Sequence, residues 1–258
     1  MRLHEHVWGA EGAPPLVCLH GVNAHGRRYR RLVEERLAHR FRVRAPDLRG
    51  HGRSAWEPPW TIEAHVEDLL ETFGEPAIWI AHSFGGRLLV EVAAREPGLV
   101  ERAVLLDPAL WVPPDIANLL AAEELYEKSF ESAEEAIERR PGTSGLVHTP
   151  REFLEEEMRE HLVEGADGRF RYRYSTEAVA SAYHELARRP PSFESLRVPT
   201  LLVVPVLGKL VSAADVELCR AALGDRLEVV VVPGGHIVLW DAYEETAAAV
   251  ERFLARNR

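Results

Sequence analysis

Hydrophobic and polar positions along this chain follow two rhythms. Short β-rich runs at residues 3–8, 16–20, 41–45, 78–81, 103–107, 200–204 and 227–232 predict strands, and several of them are nearly all apolar. Runs without polar alternation fit central parallel strands covered on both faces. Between them, apolar residues recur at helical spacing and predict amphipathic helices at residues 27–38, 62–73, 84–95, 213–223 and 243–255. This strand, turn and helix succession predicts an α/β fold with a doubly wound, mostly parallel sheet. The alternation lapses over residues 111–191, where the pattern is helical or irregular. A structureless loop of that length has no place in a compact domain. Residues 111–191 are therefore expected to form an inserted helical cap, dividing the core into residues 1–110 and 192–258.

Composition narrows the function classes. The 258 residues suffice for one large α/β domain or a domain carrying an insertion. A formal charge of −10 without a basic block argues against a nucleic-acid or anionic-membrane partner. The insertion carries 17 acids against 10 Lys or Arg, and its Glu-rich runs are expected to be solvated helix faces. That charge disfavours highly anionic substrates. Only two lysines occur, Lys128 and Lys209. Cys18 and Cys219 form no disulfide framework or zinc pattern and are expected to be buried small residues. The N-terminus lacks an apolar run of signal-peptide length, and the most apolar stretch is about half the ~20 residues of a membrane span, so a cytoplasmic protein is expected. His4 and His6 would share one strand face, but two ligands without a third predict no metal site. Oligomeric state is not legible.

Three turns carry candidate chemistry. In Ile78-Trp79-Ile80-Ala81-His82-Ser83-Phe84-Gly85-Gly86 an apolar strand meets a Ser with small residues two positions to either side, and a helix follows. This matches the nucleophile elbow G-x-S-x-G, with Ala81 in the first glycine's place. A nucleophile on such a turn is lifted clear of the sheet at the positive end of the next helix. His82, adjacent on a sharp turn, is expected to pack beside the elbow. In Leu16-Val17-Cys18-Leu19-His20-Gly21-Val22 a second strand ends in a small-residue turn. The backbone N–H groups of Val22 and Phe84 are the expected donors to a developing oxyanion. His236, presented by Pro233-Gly234-Gly235 after the last strand, is the candidate general base.

With these motifs the sequence resembles the α/β-hydrolase superfamily, in particular its cap-bearing esterase, lipase and lactonase-like members. Asp47-Leu48-Arg49-Gly50-His51-Gly52-Arg53-Ser54 is similar to that family's turn after the fourth strand, which implies a structural role for Asp47 and His51. The resemblance implies an acid after the strand that follows the cap, where this chain has Gly208 and no acid from Leu201 to Ala214. Asp107, ending the strand before the cap, is the best substitute, since some superfamily members take their acid there. It could equally shape only the turn before Pro108. Asp215 is expected in the first turn of a helix. The resulting expectation is a cofactor-independent serine hydrolase of a small carboxylic ester or lactone, using Ser83, His236 and Asp107. A ligand-binding, receptor-like homologue and a C–C bond hydrolase are the alternatives.

Overall fold

The computed structural model describes residues 1–126, 128–140, 146 and 149–256. The chain opens with β1 (Glu5–Trp8), β2 (Pro15–Leu19), β3 (Arg42–Pro46), β4 (Ala77–His82) and β5 (Val100–Leu106). Interleaved with these strands are α1 (Arg30–Leu32), α2 (Ile62–Thr72) and α3 (Phe84–Arg95). After β5 come α4 (Pro114–Glu124), β6 (Ser129–Phe130), α5 (Ala133–Arg139), α6 (Arg151–His161), β7 (Leu162–Glu164), β8 (Phe170–Tyr172) and α7 (Thr176–Leu186). The chain then returns through β9 (Thr200–Pro205), α8 (Ala213–Leu223), β10 (Leu227–Val232), α9 (Val238–Asp241) and α10 (Tyr243–Ala255).

Seven strands form one sheet in the order β1-β3-β2-β4-β5-β9-β10. Only β1 runs antiparallel to its neighbour, so the sheet is the expected mostly parallel one. Every residue of β4 is buried, as the unbroken apolar run requires. Parallel pairing puts the ends of β2, β4, β5, β9 and β10 on one edge, and helices follow each crossover.

Two expectations change in detail. The helix expected at 27–38 is a composite of a 3-10 turn at Gly26–Tyr29, α1 and a π turn at Val33–Leu37, where the N–H of Ala38 donates to the carbonyl of Val33 at 2.8 Å. The segment between β5 and β9 is not purely helical, because β6, β8 and β7 pair into a small antiparallel sheet. Its hairpin turn contains Asp167-Gly168, with Gly168 at φ +72, flanked by the β-formers Val163, Phe170 and Tyr172.

The Glu-rich run of α6 is not merely a solvated face. Arg27, Arg28, Arg30 and Arg31 pair with Glu160, Glu157, Glu156 and Glu152 respectively, in antiparallel order. The residue spacing on the two helical segments matches, so the acids of α6 neutralise a basic row belonging to the core. The sequence pattern hid this because the partners lie more than a hundred residues apart.

Candidate active site

Ser83 follows β4 directly, and Asp107 follows β5 directly. The register pairs His82 with Leu106, and Leu106 with Val203, so both side chains emerge at neighbouring strand ends. Ser83 has φ 54 and ψ −120, and Asp107 has φ 39. Such backbone costs roughly 1–3 kcal/mol at a non-glycine residue and must be held by its surroundings. Here the N–H of Ser83 donates to the Leu106 carbonyl at 3.2 Å, and the Ser83 carbonyl accepts from Gly86 and Ala109 at 2.9 and 3.0 Å. The N–H of Asp107 donates to the Val203 carbonyl at 2.9 Å.

The small residues around the elbow are there because nothing larger fits. A Cβ on Gly85 would lie 2.5 Å from the Leu19 carbonyl oxygen, and one on Gly86 would lie 2.5 Å from Pro108 Cβ. A Cβ on Gly21 would lie 2.9 Å from Ser83 Cβ, which fixes the turn after β2 against the nucleophile candidate. Val22, next in that turn, lines the same cavity as Ser83. Among the described residues neither the Val22 nor the Phe84 N–H has a recorded backbone acceptor, and Phe84 is the first residue of α3, where N–H groups have none within the helix.

His236 reaches this edge from β10, which lies beyond β9 from Asp107. The connecting loop folds back over the end of β9, with the N–H of Leu207 donating to the Gly234 carbonyl at 3.0 Å. His236 Nδ1 then stands 2.7 Å from Asp107 Oδ2, and Nε2 stands 3.0 Å from Ser83 Oγ. A carboxylate oxygen accepts, so Nδ1 carries the proton and the lone pair of Nε2 faces the serine hydroxyl. Asp107 is fully buried, whereas His236 is partly open to solvent.

The vacancy at Gly208 and the choice of Asp107 meet at one point. A Cβ on Gly208 would lie 3.2 Å from Asp107 Oδ2. Position 208 thus lies beside the carboxylate, which comes from β5, and a Cβ there would also lie 2.5 Å from Pro205 Cγ, so a side chain enters only if that proline shifts. Asp215 instead forms a capping box with Ser212 at the start of α8.

Neighbouring histidines are held neutral and fixed. His20 Nε2 accepts from the Leu48 N–H at 2.9 Å, and its Nδ1 donates to the Gly21 carbonyl at 2.7 Å. Burial holds the His20 and His82 imidazoles well below the ordinary histidine range. His82 packs on His236 with ring centroids 4.7 Å apart, and its Nε2 lies 3.0 Å from the His236 carbonyl oxygen as donor. Asp47 accepts from the N–H groups of Gly26 and Arg53 and from His6, and so ties the first turns together. It also supplies the third neighbour that His4 and His6 lacked in sequence, although its oxygens are already engaged by those donors. Cys18 and Cys219 are free and buried.

Sequence reasoning missed Asp241. Its Oδ2 accepts from the Gly235 N–H at 2.8 Å and so braces the loop that carries His236. The available signal was an acid shortly after a Gly-Gly-His turn, which is too common to single out.

A cavity of about 610 Å³ opens over Ser83 and His236, roofed by Ile116 and Leu120 of α4 and Tyr183 and Leu186 of α7. Of the aromatic residues between β5 and β9, Tyr183 lines this cavity, while Phe130, Phe153, Tyr172 and Tyr174 are buried in the core of that segment. Among the described residues no helix is long and apolar enough to cross a membrane.

Comparison with known proteins places the chain in a family. A match to the alpha/beta hydrolase family spans residues 16–249. The chain belongs to that family. It is 35% identical over 266 residues to lipase LipV of Mycobacterium tuberculosis, covering 96% of each chain. It is 29% identical over 258 residues to the 2-(acetamidomethylene)succinate hydrolase of Mesorhizobium japonicum, covering 95% of this chain and 89% of that one. The crystal structure of an E-2-(acetamidomethylene)succinate hydrolase superposes with a TM-score of 0.86 at 26% identity, covering 98% and 95% of the two chains. These likenesses support a hydrolase activity for this α/β hydrolase.

Proposed function

We propose that this α/β hydrolase cleaves a small carboxylic ester or lactone through an acyl-enzyme on Ser83. Residues 111–191 act as a cap over a core made of 1–110 and 192–258. The observation that carries the reading is the chain of contacts from Ser83 Oγ through His236 to Asp107, at 3.0 and 2.7 Å.

His236 Nε2 takes the hydroxyl proton as Ser83 Oγ bonds to the carbonyl carbon. The carbonyl oxygen becomes an oxyanion facing the N–H groups of Val22 and Phe84, each such donor typically contributing about 3–4 kcal/mol. The C–O bond to the leaving alcohol breaks, and the alcohol leaves with the proton from His236. Water then repeats the sequence in reverse roles, releasing the acid and free Ser83. Asp107 fixes the tautomer and stabilises the imidazolium. No step calls for a cofactor.

A chromogenic short-chain ester tests the reading. The wild type turns it over, and Ser83→Ala lowers kcat by about a million-fold. Saturable binding without acylation would instead make the protein a receptor-like homologue, a reading that loses its main support once a carboxylate stands beside His236. The likeness to the 2-(acetamidomethylene)succinate hydrolases favours a second reading, hydrolysis of a substrate that is not a carboxylic ester. Loss of all ester turnover with retained Ser83-dependent hydrolysis of such a substrate would select it.

A further inference from the structure

The charged groups around the cavity do not follow the acidic balance of the chain. Both lysines of the sequence, Lys128 and Lys209, line it, together with Arg28. Lys128 is committed to Glu124, which also accepts from the Tyr174 hydroxyl. Glu123 is exposed at the rim, and Lys209 is exposed with no recorded partner among the described residues. Of these three cations Arg28 is the buried one, and Glu124 is the buried acid.

Its guanidinium is fixed from two sides. Nε and Nη2 both donate to Oε1 of Glu157 on α6, and the group lies 4.7 Å above the centroid of Trp240. Nη1 has no recorded bond among the described residues, yet Arg28 lines the cavity beside Val22 and Asn23. Nη1 is not among the buried side-chain atoms that lack a partner, so it is open to solvent, and a guanidinium already held in place loses little entropy when it takes an acceptor.

We propose that the cavity takes a substrate carrying a carboxylate away from the scissile bond, and that Arg28 Nη1 receives that carboxylate. This deepens the ester-hydrolase reading and rests on it for the reacting group. The acidic composition of the segment over the site pointed the other way, but the acids of α6 are spent on arginines. The fold places Arg28 on the β2 side of Ser83, with Lys209 beyond β9. Those strands are three spacings apart, roughly 14 Å, so the two cations reach the cavity from separate parts of the sheet edge.

Calorimetric binding to Ser83→Ala tests the subsite without requiring turnover, and wild-type hydrolysis of the same compounds tests the ester reading separately. The probes are mono-phenyl glutarate against phenyl valerate, for a carboxylate on the acyl side, and 4-acetoxybutanoate against butyl acetate, for one on the alcohol side. The anionic member of one pair is expected to bind at least about tenfold more tightly. Replacing the whole buried pair, as Arg28→Met with Glu157→Met, avoids stranding a lone charge and should erase that preference. Lys209→Met should leave most of it. Equal binding of both members in both pairs overturns the proposal, as does a preference that survives loss of Arg28 or vanishes with Lys209→Met.

Discussion

Two regions of this molecule bring distant segments together by different means. At the edge of the sheet, Ser83, Asp107 and His236 are placed by backbone: strand register, carbonyls that accept turn N–H groups, and glycines packed against main chain. At the junction of residues 26–31 with α6, long side chains do the joining, through four arginine–glutamate pairs. The first arrangement tolerates almost no change in side-chain size. The second is graded, because Arg28–Glu157 is buried while Arg31–Glu152 is solvent-exposed. A buried pair is costly to break, whereas an exposed one is nearly free.

The largest expected effect lies at the sheet edge. Asp107→Asn should lower kcat on a cleaved ester by about 10⁴ with the fold intact by circular dichroism, because the imidazole loses its tautomer-fixing partner. A variant within tenfold of wild type would remove Asp107 from the machinery. Next comes the buried end of the charge row. Glu157→Gln leaves Arg28 charged and unpaired, with an expected loss of about 3–5 kcal/mol in urea unfolding. A loss no larger than that of an exposed pair would erase the distinction drawn between the two regions.

Acidification sharpens the comparison further. Burial lowers His51 to about 4 and His65 to about 3. Below the unfolded value of about 6.5 the unfolded chain binds protons that the folded chain refuses, so stability falls with pH through that window. Each histidine contributes a slope of about 1.4 kcal/mol per pH unit until its folded value is reached. His65→Gln should flatten the stability profile between pH 6 and 4 by one proton. An unchanged slope would show that His65 is protonated in the fold. The smallest effect belongs to the exposed end of the row, where Glu152→Gln should shift stability by less than about 1 kcal/mol.

Much of the site was legible because it is built from local sequence. The elbow needs Ser83 between a strand and a helix, with glycines where the main chain closes in, and those requirements are contiguous. His236 was legible for the same reason. Asp107 stayed ambiguous because an acid before Pro108 has two local explanations, and only its distance to His236 separates them. The Asp167-Gly168 hairpin was overlooked in a stretch dominated by helical spacing, although its turn chemistry was present. Asp241 and the α6 charge row carried no local signal.

The sequence by itself determined the strand and helix rhythm, the mostly parallel sheet and the turns that present Ser83 and His236, because apolar periodicity and small-residue turns are short-range properties of the chain. Only the tertiary structure decided which carboxylate meets His236, that position 208 lies beside that carboxylate, and that the arginines after β2 face α6. Those outcomes depend on strand order and on groups far apart along the chain, whose interaction exists only once folding has brought them within a few ångströms of each other.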